Sequence, residues 1–222
     1  MTFKTLEFVL PDIIICLNGT LPDTHTFHRL RSIPIAAADG AAIQLRQKGI
    51  LPQSIIGDLD SFASDRMFWQ EYQDVTIHEV NDQNSTDFEK TLEYVRRQNY
   101  RTAMILGMHG GEFDHTLNNW SILMRYGKIL HLAFYEKGTI AVPIYESVTI
   151  TTRPGEMISL IPQPSTIITT SGLEWNLQKE ELALGKREGA RNRATEVRVK
   201  IQVHSGSLLL FLNNELPYMP QI

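Results

Sequence analysis

The stretch "IIGDLDS", Ile55 to Ser61, runs two β-branched apolar residues into a glycine and then sets two aspartates one residue apart. Its first half reads as the end of a buried strand, its second as a loop holding carboxylates where that strand stops. Open parallel sheets bind ligands beyond the carboxyl ends of their strands. Two carboxylates there suit a hard cation such as magnesium, which takes oxygen ligands and is commonly shared between one or two carboxylates and phosphate oxygens. An Asp-x-Asp also makes an ordinary turn, so the neighbouring segments must decide.

Outward from this stretch, from Asp12 to about Glu136, short apolar runs alternate with helix-like segments. The runs are "DIIICLN", "PIAAAD", "SIIG", "VTIHEV", "TAMILG" and "ILHLAFYE", mostly too apolar to have a solvent-facing side. Between them, "GAAIQLRQKG" ends in Gly49 as a helix should, and "STDFEKTLEYVRRQN" sets Phe88, Leu92 and Val95 on one helical face. Strand and helix in alternation predict a parallel α/β sheet. After Glu136 the segments "TIAVPI", "SVTITT", "MISLIP", "STIITTS", "TEVRVKIQVHS" and "SLLLFLNN" are strand-like and punctuated by Pro and Gly. They predict a smaller antiparallel β-sandwich or barrel. The expected boundary lies near residue 140, giving an α/β domain over 1–140 and a sandwich over 141–222.

Composition narrows the function classes. The 222 residues carry 21 Lys and Arg against 25 Asp and Glu, a net charge of -4, which argues against a generic nucleic-acid binder. Cys16 is the sole cysteine, so neither an internal disulfide nor a thiolate metal cluster is expected, and a reducing cytoplasm is the expected location. Glu7, Pro11 and Asp12 interrupt the apolar amino terminus before it resembles a signal peptide. No run reaches the ~18 apolar residues of a membrane span.

The other predicted strands also end in polar residues. "PIAAAD" ends in Asp39-Gly40, "VTIHEV" leads into "NDQNSTD", and "TAMILG" leads into "MHGGEFDH". Thr86 and Glu89 fit a capping box, which puts Asp87 in the first turn of a helix, near the positive end of its dipole. Asp87 is thus either dipole compensation or a third metal ligand beside Asp58 and Asp60. Gly107, Gly110 and Gly111 free the backbone to approach a ligand, and Asp114-His115 opens a further helix. Walker A and Gly-x-Gly-x-x-Gly patterns are both missing from the sequence, so a bound triphosphate must rely on metal and scattered side chains.

These segments, in this order, resemble the thiamine pyrophosphokinase family. The matching residues are Asn18-Gly19, "ADGAA" from Ala38, "GDLDS" from Gly57, "DQNSTDFEK" from Asp82 and "GGEFDHTLNN" from Gly110, then "SGLEWNL" and "GARNRAT" in the second half. The resemblance implies a Rossmann-like amino-terminal domain that binds ATP and magnesium. It also implies a carboxyl-terminal β-sandwich that binds thiamine, and a homodimer with active sites between subunits. The implied reaction moves pyrophosphate from ATP to the thiamine hydroxyl, giving thiamine diphosphate and AMP. Carried over by position, Asp58, Asp60 and Asp87 resemble the magnesium ligands; Asp39, Gln83, Thr86, Lys90, Asp114 and His115 match other site positions. Asp60 or Asp114 is a candidate base, Asn192 a thiamine contact, and Trp175 either a stacking platform for the cationic thiazolium or a core residue.

Three departures stand out. Ala41 replaces a second glycine, "ARNRAT" departs from a Ser-Asn pattern, and Glu112 stands where the family has a phosphate-contacting arginine. Arg191 or Arg193 is a candidate to compensate for Glu112 from the partner subunit. The departure at Glu112 keeps open a catalytically weak thiamine- or nucleotide-binding protein, and Asp-x-Asp alone would also suit a nucleotide-sugar transferase. His25 and His28 are expected in an exposed loop, and Phe211 in a buried strand.

Overall fold

The computed structural model describes residues 2–60 and 72–222, so Ser61 of the opening stretch lies outside the described residues. The chain divides into two compact units, Pro11–Leu130 and a second made of Met1–Leu10 with His131–Ile222.

In the first unit, five strands lie side by side in the order Thr102–Leu106, Ile13–Cys16, Ile35–Ala38, Ser54–Gly57 and Thr76–Glu79, all parallel. The inner strands are buried along most of their length, because helices joining parallel strands cover both faces of the sheet. Thr76–Glu79 differs: its residues are half-buried or exposed, as befits the last strand in that order. Helix Ala41–Gln47 stops at Gly49, whose φ of 69° allows the return bonds Gly49 N–H to Arg46 O and Ile50 N–H to Leu45 O. Helix Thr24–Leu30 carries His25 and His28 exposed, so this segment is helical where the sequence reads as loop.

Helix Asp87–Arg97 realises the predicted capping box and buries Phe88, Leu92 and Val95. Glu89 does two jobs, accepting from Thr86 and pairing with Arg125 at 2.8 Å. Burial disfavours its charge, but the bonds from Thr86 and Arg125 outweigh this and hold its carboxyl below the ordinary 4.5. A depressed carboxylate contributes stability in full above its ordinary value and loses it as pH falls through the folded value. Glu89→Gln should therefore cost about 1 kcal/mol at pH 7, and urea melts should show the gap to wild type closing below pH 4.5.

The second unit is mainly antiparallel. Two long strands, Met157–Ser171 and Arg198–Asn213, pair with each other; the second also pairs with Thr139–Ile144 and Val148–Thr151, the first with Glu180–Ala183 and Gly189–Arg193. The sequence reading splits each long strand in two. Its punctuation instead marks register breaks within continuous strands, one of them between Pro162 and Thr166 opposite Gly206. Phe211 lies half-buried in the second long strand.

The division at Leu130 corrects the boundary expected near 140. His131–Glu136, whose apolar pattern groups it with the runs before it, falls in the second unit and pairs antiparallel with Thr139–Ile144. Lys137 and Gly138 between them both have positive φ, 47° and 82°, which makes the tight hairpin turn that twisted strands favour. The amino-terminal residues also belong here, with Lys4–Thr5 beside Val148–Thr151 and Glu7–Val9 beside Met219–Gln221.

Candidate active site

Strand order reverses at Ile13–Cys16, whose neighbours are Ile35–Ala38 and Thr102–Leu106. The loops leaving these strands part in opposite directions and open a crevice. Two of them are stitched backbone to backbone: Gly19 N–H donates to Gly107 O at 2.9 Å and Thr20 N–H to His109 O at 2.5 Å. A Cβ on Gly19 would fall 2.0 Å from the His109 carbonyl oxygen, so only glycine lets the loops close. Gln44 reinforces the join, donating to Asn18 Oδ1 at 3.0 Å and Gly19 O at 2.9 Å.

The crevice is a cavity of about 460 Å³, a size that suits a small-molecule ligand. Six of the sequence-derived site residues line it: Asp58, Gln83, Thr86, Asp87, Lys90 and His115. Lys90 is nearly enclosed, and its Nζ lies 3.1 Å from Asp87 Oδ1 and 3.7 Å from Asp58 Oδ2. A loop carboxylate and a helix carboxylate thus converge on one buried ammonium. Leu59 between the two aspartates has φ 63°, with its side chain buried at 8 % exposure. That left-handed backbone costs about 1–2 kcal/mol for a residue with a Cβ, and such strain gathers at sites where geometry serves function.

Asp60 is exposed, tied to this turn by its N–H to Asp58 Oδ1 at 3.5 Å. Among the described residues, the carboxylates of Asp58, Asp60 and Asp87 are not all within 4.8 Å of one another; Glu112, Asp114 and His115 are, all exposed. The donor set nonetheless fits magnesium: Asp58 and Asp87 offer only oxygen and already surround a positive charge. Thr86 is engaged as the helix cap, its hydroxyl bonded to Glu89. Asp114 Oδ1 accepts from the His115 N–H.

Asp39 is buried at 5 % exposure, and its Cβ lies 2.6 Å from where a Cβ on Gly57 would stand. The glycine before Asp58 is therefore required by the neighbouring strand end. Gly57→Ala should destabilise by about 1–3 kcal/mol through overpacking; a thermal melt checks this.

Sequence reasoning passed over Asn118 and Asn119 as site residues, although both line the cavity and Asn119 donates to Met108 O at 3.2 Å. Their signal was their place one helical turn beyond Asp114-His115 in the quoted "DHTLNN" run. Glu112 lines the cavity as well, with its side chain 80 % exposed.

In the second unit, Trp175 is 58 % exposed, so it is not a core residue. Asn192 is buried, and its amide is bonded to the backbone of Trp175 and Arg193. Arg191 and Arg193 stand exposed on the same strand.

Comparison with known proteins identifies the family. Residues 30–133 match the family model "Thiamin pyrophosphokinase, catalytic domain" and residues 145–208 the model "Thiamin pyrophosphokinase, vitamin B1 binding domain". Thiamine pyrophosphokinase 1 of Arabidopsis thaliana is 32% identical over 186 residues, 78% of this chain and 68% of that protein. Thiamin pyrophosphokinase 1 of Caenorhabditis elegans is 27% identical over 231 residues, 94% of this chain and 91% of that protein. The solved structure of thiamin pyrophosphokinase from Candida albicans shares the fold with a TM-score of 0.81 at 15% identity, over 96% of this chain and 93% of that one. With both halves matched in order and relatives aligned along most of its length, the chain belongs to the thiamine pyrophosphokinase family.

Proposed function

We propose that the chain transfers the pyrophosphoryl group of ATP to thiamine. The observation that carries this reading is the buried Lys90 ammonium held between Asp58 and Asp87 in the crevice, within a chain matching both family models. The thiamine hydroxyl oxygen attacks the β-phosphorus of ATP. The bond from that phosphorus to the α–β bridging oxygen breaks, and AMP leaves with that oxygen. The hydroxyl proton passes to a carboxylate or to solvent.

A protein contributes to such a transfer mainly by positioning and charge stabilisation. Lys90, nearly enclosed, supplies a fixed positive charge that solvent does not screen. Asp58 and Asp87, with Asp60, would hold magnesium, which when bound neutralises phosphate charge. Glu112 opposes an incoming phosphate, but its exposure keeps its charge hydrated and its effect small. Glu112→Arg should accordingly lower the KM for ATP severalfold with kcat little changed, as steady-state kinetics would read.

The dimer with shared sites and the cytoplasmic location belong to the same proposal. Support for the location is the single cysteine, Cys16, fully buried with its thiol pushed up by burial and so unreactive. Among the described residues no helix is long and apolar enough to cross a membrane. Light scattering tests the dimer; a monomer at micromolar concentration would overturn it. For the reaction, purified protein is incubated with thiamine, ATP and magnesium and the products are separated. AMP and thiamine diphosphate should appear in equal amounts and vanish on chelation; ADP, or no product, would overturn the assignment.

A further inference from the structure

The loop after Ile13–Cys16 lines the crevice with Asn18 and Gly19 and is held by Gln44, a half-buried residue of helix Ala41–Gln47 that is not part of the lining. Gln44 Nε2 donates to three oxygens of this loop: Asn18 O at 3.1 Å, Asn18 Oδ1 at 3.0 Å and Gly19 O at 2.9 Å. Two of these are backbone carbonyls, which can only accept. The Gln44 group facing them is therefore its nitrogen, and the third partner must accept as well. That requirement orients the Asn18 carboxamide, with its oxygen toward Gln44 and its nitrogen turned away.

A glycine makes the space into which that nitrogen turns. A Cβ on Gly40 would lie 2.5 Å from Asn18 Nδ2 and 2.8 Å from its Cγ. Gly40 has φ -56°, an ordinary value for any residue, so the amide and not the backbone excludes a side chain there. Asn18 is exposed, and among the described residues its Nδ2 donates to no protein group. The free end of a cavity-lining side chain is thus a pair of N–H donors whose direction is set by its neighbour.

Such donors suit an anionic oxygen. Of the two substrates proposed above, thiamine carries its charge as a ring cation, which repels the positive end of an N–H dipole. The nucleotide brings phosphate oxygens, and hydrogen bonds to an ionised acceptor are the stronger kind.

We infer that Gln44 is a positioning residue for the nucleotide: it fixes the Asn18 carboxamide with its N–H groups toward the crevice, where they donate to a phosphate oxygen. This rests on the function proposed above and adds to it a neutral donor in the same cavity as the Lys90 ammonium. Gln44 itself touches no substrate. An Asn18 amide of reversed sense would present its oxygen to the phosphate, and attraction would become repulsion.

The test is a double-mutant cycle with Gln44→Met, Asn18→Ala and the double variant, read as KM for ATP, KM for thiamine and kcat. Methionine keeps the bulk of glutamine without the donor, so Gln44→Met should raise the KM for ATP about fivefold. Asn18→Ala should raise it about tenfold, the usual worth of one hydrogen bond to a charged group. The KM for thiamine should stay unchanged in both. The double variant should be no worse than Asn18→Ala, because the glutamine acts only through the asparagine; a residue that merely stitched the loop would give additive losses, about fiftyfold, and overturn the inference. Gln44→Glu sets a carboxylate against the Asn18 oxygen and should reverse the amide, so its KM for ATP must rise more than that of Gln44→Met; an equal or smaller rise also overturns the inference. Calorimetric titration with magnesium and the α,β-methylene analogue of ATP, whose α–β link does not break, reads the same cycle without turnover. A chain that binds the analogue but makes no thiamine diphosphate refutes the proposed reaction and still judges Gln44; one that does not bind it refutes both. Should the Gln44 variants fail to fold, Gly40→Ala carries the test by pushing the amide from its other side. It must raise the KM for ATP in the wild-type background and be nearly neutral beside Asn18→Ala; equal losses in the two backgrounds refute the role of the amide.

Discussion

Asp58→Asn should lower turnover by about a hundredfold or more, the usual loss when one stabiliser of transition-state charge is removed, while the fold survives. Asparagine keeps the shape of the side chain and an oxygen to accept the Asp60 N–H. It removes the charge at the mouth of the crevice, and with it one of the two carboxylates facing Lys90. Stability should change little, because Asp87 remains at 3.1 Å as the closer partner of the ammonium. The melting temperature should stay within a few degrees of wild type, and product chromatography should show both AMP and thiamine diphosphate falling together. If turnover fell less than threefold in a folded variant, Asp58 would have no part in the chemistry.

Lys90→Met tests the same cluster from the cationic side, and its effect on turnover should be as large. Methionine matches the length and bulk of lysine in a slot where the side chain is only 4 % exposed, so packing is conserved and the charge alone is deleted. Asp58 and Asp87 are then left facing each other across an uncharged chain. Their own side chains are 25% and 40% exposed, so water relieves part of the repulsion. The expected destabilisation is about 1–2 kcal/mol, below the 3–5 kcal/mol seen when a fully buried pair is broken. Added magnesium should raise the melting temperature of Lys90→Met more than that of wild type, since two carboxylates without a counter-ion gain more from a cation. Equal shifts in the two proteins would show that the cation does not bind between these carboxylates. Lys90→Arg should not restore turnover, because the wider guanidinium does not fit the enclosed slot.

Both predictions concern residues that were legible in the sequence. Asp58 and Asp87 stood out as candidates through local rules, a strand that ends in acid and a capping box that sets the helix register, whereas Lys90 came from the resemblance to the family motif. The helix face of Phe88, Leu92 and Val95 followed from periodicity in the same way. The tight turn that sends Thr139–Ile144 back along His131–Glu136 was not legible, because it rests on the left-handed pair Lys137-Gly138. Asn192 lay in a charged run that reads as a solvated face, and its burial depends on a bulge set by Ser159, far away in the chain.

The sequence by itself determined the parallel α/β frame, the strand-rich second half, the family and the carboxylate segments, since all of these rest on local periodicity and on motif order along the chain. The tertiary structure alone decided the rest. It placed the amino-terminal residues with the carboxyl-terminal unit, drew Asp58 and Asp87 onto one buried ammonium, closed Gly57 against Asp39, and locked Asn192 under Trp175. The physical reason is that periodicity records which face a residue turns inward, whereas hydrogen bonds and ion pairs between segments distant in sequence depend on where packing brings those faces together.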